Sequence, residues 1–434
     1  MTKTGGTEKK YCVIGAGAAG LAAVQALVRE GLEVDCFEKT DRVGGHWNWD
    51  YDSLHLITSS GVTGFPEFPM PADWPMFPSR KRMVAYLNSY ADRFGLREKI
   101  TFNMPVTSVQ PADGPGPTGA AGWRVTAQNG TSRHYDGVFV ANGHLWDQRI
   151  PQIASRFDGK QIHSGSYRNA GDIDGETVLV VGCGNSGCDL AVDAAQAGLR
   201  SHIVIRRGHY FQPKTFFGKP RSELDFMQAF SPQEQDTITR LMMRLSVGTY
   251  ADYPGLPAPQ HETLAEGPPI VNELLLYWIR HGRITVHPDI ENFKGNTAWF
   301  TDGTSLPVDT VLWATGFNVS FPFLKSSLFS WQDGVPLKAG ASIFPVGLEK
   351  LYFVGLIAPR GPQPPVYSLQ SKLAVDAALL HRSADDGWRP VAGHMSATQQ
   401  AEADIDVLRH LWLAGYEETS ASLEQLRQGQ PALS

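Results

Sequence analysis

Residues 11–20 read YCVIGAGAAG, and the chain continues as LAAVQALVREG over 21–31 and LEVDCFEK over 32–39. The first apolar run is too short for a helix. The Ala/Leu-rich stretch carries helical spacing up to Gly31, a helix stop, and a second apolar run ends at Glu38. The grammar is strand, glycine turn, helix, strand. It returns at Thr177 as TVLVVGCGNSG, CDLAVDAAQAG and then RSHIVIRR. Gly20 and Gly187 stand 167 residues apart, and so do Gly31 and Gly198. Two βαβ units repeated in register predict an α/β fold with two Rossmann-like dinucleotide-binding domains.

Each glycine in the turn has a separate task. Gly15 permits the tight turn, Gly17 lets a pyrophosphate approach the backbone, and Gly20 lets helix and strand pack closely. The helix N-terminus then offers free N–H groups and partial positive charge to phosphates. Glu38 ends the next strand eighteen residues after Gly20, where a carboxylate accepts hydrogen bonds from ribose hydroxyls. Gly182, Gly184 and Gly187 repeat the fingerprint, but there the second strand ends in Arg206 and Arg207. Guanidinium groups at that place suit a ribose 2′-phosphate and favour NADPH over NADH.

The rest of the chain frames these two units. Runs WRVTAQ and YDGVFVANG within 99–142, separated by a Gly/Pro-rich stretch at 111–122, predict a small β-meander with a disordered turn, closing on a buried strand at 137–141. A Pro-rich, irregular insertion covers 208–269, with one amphipathic helix near 233–245. LYFVGLIAPRG and SLQSKLAVDAALLHR then form a last strand, loop and helix that complete the first sheet. The expected domains are therefore a discontinuous first domain, 1–168 with 310–434, and a second, 169–309, inserted into it.

Composition narrows the partners. The 434 residues are 42% hydrophobic and 19% charged, enough for two or three cores. A formal net charge of -6 gives no electrostatic case for nucleic acid or an acidic membrane, so a small-molecule substrate is expected. No window reaches the about 18 apolar residues of a spanning helix, and residues 1–10 are polar, without the apolar core of a secretory signal. Four cysteines in or beside apolar runs fit a reducing, cytoplasmic compartment. There is no cluster of metal-ligand type. A homodimer is an assembly that the sequence leaves open.

Between the two units lies FDGKQIHSGSY, with Phe157, Gly159, His163 and Tyr167 at the spacing F-x-G-x-x-x-H-x-x-x-Y. This resembles the identifying motif of the flavin-containing monooxygenases, class B flavoprotein monooxygenases. The resemblance runs over nearly the whole chain: GGHW after Glu38, FPEFPMP at 65–71, ANGH at 141–144, ATGF at 314–317 and SLQSK at 368–372 occur in the family's order. It implies FAD on the first fold and NADPH on the second. NADPH would reduce the flavin, NADP would stay bound, and dioxygen would add to form a C4a-(hydro)peroxyflavin that oxygenates a soft nucleophile, an amine or a sulfide. The implied FAD site comprises Gly15, Gly17, Ala18, Ala19, Gly20, Glu38, Lys39, Gly45, His46, Trp47, Val106, Ala141 and Gln370, with Gly44 beside it. The implied NADP site comprises Tyr167, Gly182, Gly184, Asn185, Ser186, Gly187, Arg206, Arg207, Ala314 and Thr315. His163 and Tyr167 are expected to order the linker between the domains.

One departure bears on the chemistry. Where the microsomal and trimethylamine-type enzymes carry an Asn facing the flavin, an ungapped count places Ile57. His55, Thr58 and Ser59 are then the candidate replacements for its polar role, and with Ile57 and Tyr167 they are the catalytic candidates. The departure keeps carbon oxygenation open, as Baeyer–Villiger insertion or oxidative decarboxylation of a 2-oxo acid, beside a flavin redox sensor without turnover. Cys183 and Cys188 share the four-residue gap of the glutathione-reductase redox pair, but they flank the second glycine turn instead of lying in the flavin domain. They are read as packing residues.

Overall fold

A computed structural model describes residues 9–114, 116–383 and 390–429. Residues 1–8, most of the polar N-terminal stretch read above, lie outside it. The strand Lys10–Ile14 is buried on both faces: Tyr11 and Val13 face one core, Cys12 and Ile14 the other. That is the pattern of a central strand in a parallel sheet covered on both sides. Its sheet runs Leu351–Phe353, Gly137–Val140, Lys10–Ile14, Glu33–Phe37, Ile100–Thr101, every neighbouring pair parallel.

The second sheet repeats that order. It runs Lys160–His163, Thr310–Trp313, Thr177–Val181, Arg200–Val204, Ile284–His287, again all parallel. The helices Ala18–Arg29 and Asn185–Gln196 follow the two central strands. In both units an antiparallel meander immediately precedes the strand that returns beside the central one, Gly137–Val140 or Thr310–Trp313: Val106–Pro111, Trp123–Ala127 and Ser132–Tyr135 in the first, Ile290–Lys294, Thr297–Phe300 and Ser305–Pro307 in the second.

Two expectations change. The strands Lys160–His163 and Thr310–Trp313 both belong to the second sheet, so it extends beyond 169–309 at both ends. Three strands of the second sheet lie within 169–309, and the chain flanking that range on either side supplies the other two. Of the stretch at 111–122, residue 115 lies outside the described residues, and the rest is held in place. Gly122 accepts from the Ala112 amide at 2.9 Å, Thr118 accepts from the Glu349 amide at 2.9 Å, and Ala120 is buried.

The insertion builds a small core of its own. Its helix Pro232–Val247 is started by a capping box, in which Ser231 and Glu234 satisfy each other's backbone amides. Met242 and Met243 on that helix pack on Phe216. The insertion reaches the first unit through side chains: Ser59 donates to Glu223, Arg360 donates to the carbonyls of Leu264, at 2.5 Å, and Ala265, at 3.3 Å, and the Lys214 ammonium lies 5.3 Å from the centre of the Phe77 ring. Among the described residues no helix is long and apolar enough to cross a membrane.

Candidate functional site

Both glycine turns are built on a steric requirement. A Cβ on Gly20 would stand 1.9 Å from the Gly15 oxygen, and one on Gly187 would stand 2.0 Å from the Gly182 oxygen. Helix and strand touch there through bare backbone. The turn residues Gly15 and Gly182 have φ of +99° and +111°, and each sits on the carbonyl at the end of the neighbouring strand, Ala141 and Ala314 respectively. The two turns are thus copies in three dimensions.

A cavity of about 500 Å³ opens at the first turn. Gly15, Gly17, Ala18, Ala19, Glu38, Lys39, Gly45, His46, Trp47, Val106 and Ala141 line it, all residues expected of the FAD site. Glu38 is buried, and its carboxylate accepts from the Ala16 amide at 2.7 Å, the Thr40 amide at 2.8 Å and the Thr40 hydroxyl at 2.9 Å. It fastens the turn to the strand while facing the cavity. Gly20 and Gln370 stand behind the wall. Gln370 is fully buried on the helix Pro364–Ser383; it accepts the Gly355 amide proton at 2.9 Å, and its Nε2 has no partner. Gly355 lines the cavity, and its carbonyl accepts from His144 Nδ1 at 3.1 Å. Burial holds the His144 pKa below its ordinary value, so it serves as a neutral donor. A bare glycine cradle at a helix N-terminus, with a carboxylate on the same wall, suits a large polar cofactor, and the residues present fit FAD.

The wall is completed by residues that the sequence reading did not assign to the site. Asn142, His144 and Phe317 come from the ANGH and ATGF motifs, and Pro322, Phe323, Gly355 and Tyr367 from elsewhere. The motifs themselves were the available signal. Two arginines fix the loop after GGHW. Arg80, 5% exposed, donates to the carbonyls of Trp47 and Asn48 and pairs with Asp52. Arg168 donates to Asn48 and Asp50 carbonyls and also pairs with Asp52. His46 Nδ1 lies 2.7 Å from Asp50 within the same loop.

His55, Ile57, Thr58 and Ser59 are not among the residues lining the cavity. His55 is exposed and bonds to the Ser53 carbonyl; Thr58 and Thr63 share a hydrogen bond in a buried turn; Ser59 is taken by Glu223. Ile57 is half-buried on the same irregular segment. Tyr167 is fully buried, its hydroxyl 2.8 Å from Asp193, so it supports the second unit instead of meeting a ligand. His163 is buried as well: Nε2 donates to the Gly316 carbonyl at 3.0 Å, and Nδ1 accepts the Gly165 amide at 3.1 Å. Both its nitrogens are spent on the hinge, and burial keeps it neutral.

At the second turn Asn185 accepts from the Val271 amide at 2.9 Å, and Thr315 donates to the Arg149 carbonyl at 2.5 Å. Ser186 is half-buried beside Asn185, and Gly184 is exposed with open space around it. Arg206 and Arg207 are exposed, with no salt bridge to either among the described residues. In the 167-residue register Glu38 corresponds to Ile205, which is buried, so no carboxylate stands there to repel a phosphate. This turn therefore fits a 2′-phosphorylated dinucleotide. No group of three metal-ligating side chains occurs among the described residues.

Comparison with known proteins agrees with this geometry. The family described as flavin-binding monooxygenase-like matches residues 8–379. Rabbit (Oryctolagus cuniculus) flavin-containing monooxygenase 5 is 32% identical over 392 residues, covering 84% of this chain and 72% of the relative. Rabbit dimethylaniline monooxygenase (N-oxide-forming) 2 is 31% identical at the same coverage. Among solved structures, a flavin-containing monooxygenase from Stenotrophomonas maltophilia superposes with a TM-score of 0.66 at 20% identity, over 86% of this chain and all of that one. Cyclohexanone monooxygenase from Rhodococcus sp. Phi1 gives 0.69 at 17% identity, over 98% of both. These last two establish the shared fold.

Proposed function

The chain belongs to the flavin-binding monooxygenase-like family and is an FAD- and NADPH-dependent monooxygenase; from that premise we propose that it transfers one oxygen atom to the nitrogen or sulfur of a small soft nucleophile. The observation that carries this reading is that one cavity joins the first glycine turn to Gly165 and Phe317, beside the hinge histidine of the connecting strands. The flavin's dimension of the chemistry is oxygen activation after reduction by NADPH, which needs no protein nucleophile.

The chain's own contribution is to bind, orient and seal. Gly15, Gly17 and the first turn of the helix Ala18–Arg29 cradle phosphates, Glu38 meets ribose, and Gln370 and His144 hold the Gly355 peptide from both sides. Arg206 and Arg207 select the 2′-phosphate. Phe317, Pro322, Phe323 and Tyr367 give the cavity an apolar wall that excludes water. A neutral amine or a sulfide suits that wall better than an ion. The relative named N-oxide-forming supports nitrogen as an acceptor.

The test is product analysis with NADPH, dioxygen and a panel of a tertiary amine, a thioether and a cyclic ketone. Amine or sulfide gaining one oxygen atom, with NADPH and dioxygen consumed in equal amounts, is the expected result. An ester from the ketone alone assigns carbon oxygenation, and hydrogen peroxide as the sole product across the panel removes the proposal.

A further inference from the structure

The two thiols read as packing residues meet in the structure. Cys183 follows Gly182 in the second glycine turn, and Cys188 is the fourth residue of the helix Asn185–Gln196. Their sulfurs lie 3.8 Å apart, and both side chains are buried. In the 167-residue register the first turn carries Ala16 and Leu21 at these places. A dinucleotide turn of this design does not need sulfur at either.

We propose that Cys183 and Cys188 form an oxidation site for hydrogen peroxide, closing to an intrachain disulfide that deforms the second glycine turn and weakens nicotinamide dinucleotide binding. The proposal rests on the assignment of that turn to NADPH. Peroxide is the product of any flavin turnover in which activated oxygen is not passed on. The Cys183 sulfur attacks one peroxide oxygen; the O–O bond breaks, water leaves and a sulfenic acid forms. The Cys188 sulfur then displaces that oxygen as a second water, and the S–S bond forms. The two thiols lose two protons and two electrons, and one peroxide becomes two waters.

The order of attack follows from exposure. Cys183 is 9% exposed and Cys188 fully buried. Burial, and the neighbouring Cys183, push the Cys188 thiol well above its ordinary range, which leaves it the resolving partner. Closure to a sulfur separation of about 2.05 Å requires one side to move. The helix is the fixed side, because Cys188, Leu190, Ala191 and Ala194 are fully buried in a close-packed core. Movement falls on Cys183 and the exposed Gly184 beside it, whose peptide groups shape the anion-binding mouth of the helix.

FAD-loaded enzyme treated with hydrogen peroxide tests this by peptide mass mapping alongside the KM for NADPH. Expected are a Cys183–Cys188 crosslink about 2 Da lighter than the dithiol, FAD retained, and a KM for NADPH raised at least about tenfold. Dithiothreitol should reverse the change, and saturating NADP should slow crosslinking. In Cys188→Ala, and separately in Cys183→Ala, peroxide should leave each variant at its own untreated KM. A crosslink that forms with KM unmoved overturns the proposal, and so does an intact dithiol under peroxide that oxidises surface methionines. Failure of the underlying assignment looks different: Arg206→Ala would then leave KM for NADPH unmoved in untreated enzyme.

Discussion

Gln370 accepts the amide proton of Gly355 at 2.9 Å while its own Nε2 lies buried without a partner. Gln370 stands behind the cavity wall and acts on a ligand through Gly355, which lines the cavity. Gln370→Leu should therefore weaken FAD about tenfold or more, read by flavin fluorescence on titrating the apoprotein. Unchanged FAD affinity would mean that the amide serves packing alone.

The two glycine contacts predict separable losses. Gly20→Ala puts a methyl group on the Gly15 oxygen and should yield protein that does not retain FAD. Gly187→Ala does the same at the Gly182 oxygen and should yield yellow protein that NADPH no longer reduces at ordinary concentrations. Overpacking of this kind costs about 1–3 kcal/mol. Absorbance and anaerobic reduction separate the outcomes, and loss of FAD from the Gly187 variant would contradict the division of labour.

Arg206 and Arg207 are exposed and free of ion pairs among the described residues. Removing either guanidinium should raise KM for NADPH by about tenfold, the worth of one charge-assisted contact, and leave KM for NADH near its starting value. Equal rises for both nucleotides would show that neither arginine reads the 2′-phosphate.

Asp189 couples the two units. Tyr51, from the loop after GGHW, donates to it at 2.8 Å and Asn272 at 2.7 Å. Burial pushes its carboxyl from 3.8 up to about 6, against the Tyr51 hydrogen bond and the nearby Lys214. The folded chain thus holds a proton that the unfolded chain has lost between about pH 4 and pH 6, and stability falls as pH rises through that window. Its contribution is full below the window and gone above it. Asp189→Asn keeps a hydrogen-bonding side chain and removes the titration, so its Tm relative to the parent should climb from pH 4 to pH 6 and then level off. A Tm difference independent of pH would refute the assignment.

What could be read from the sequence was whatever chain geometry dictates locally. The glycines of each turn fall within six residues, and Glu38, or Arg206 and Arg207, ends the strand that follows within about twenty more, so one strand–helix–strand unit exposes them by spacing. Arg80, Arg168 and His144 act across long separations, on carbonyls that carry no sequence signature. His55, Ile57, Thr58 and Ser59 were located by counting along an irregular segment, where an ungapped count has no periodic structure to hold it in register. Tyr167 was read from a motif position, but only packing reveals that its hydroxyl is spent on Asp193. The domain edges at 160–163 and 310–313 shifted because four-residue strands reveal their sheet only through their neighbours.

Those two strands have a wider consequence. Lys160–His163 lies parallel against Thr310–Trp313, and just beyond, Asp147–Gln148 pairs antiparallel with Phe317–Asn318. The outgoing and returning chains therefore travel together through one narrow stem. Both chains can be cut at that one level to splice in the corresponding module of a relative, but the splice must also match Tyr51, Ser59 and Arg360, which bind Asp189, Glu223 and the Leu264 and Ala265 carbonyls across the units. An exchange of coenzyme preference by transplant therefore carries part of the flavin chamber with it, because Gly165 and Phe317 on the two stem chains line that chamber.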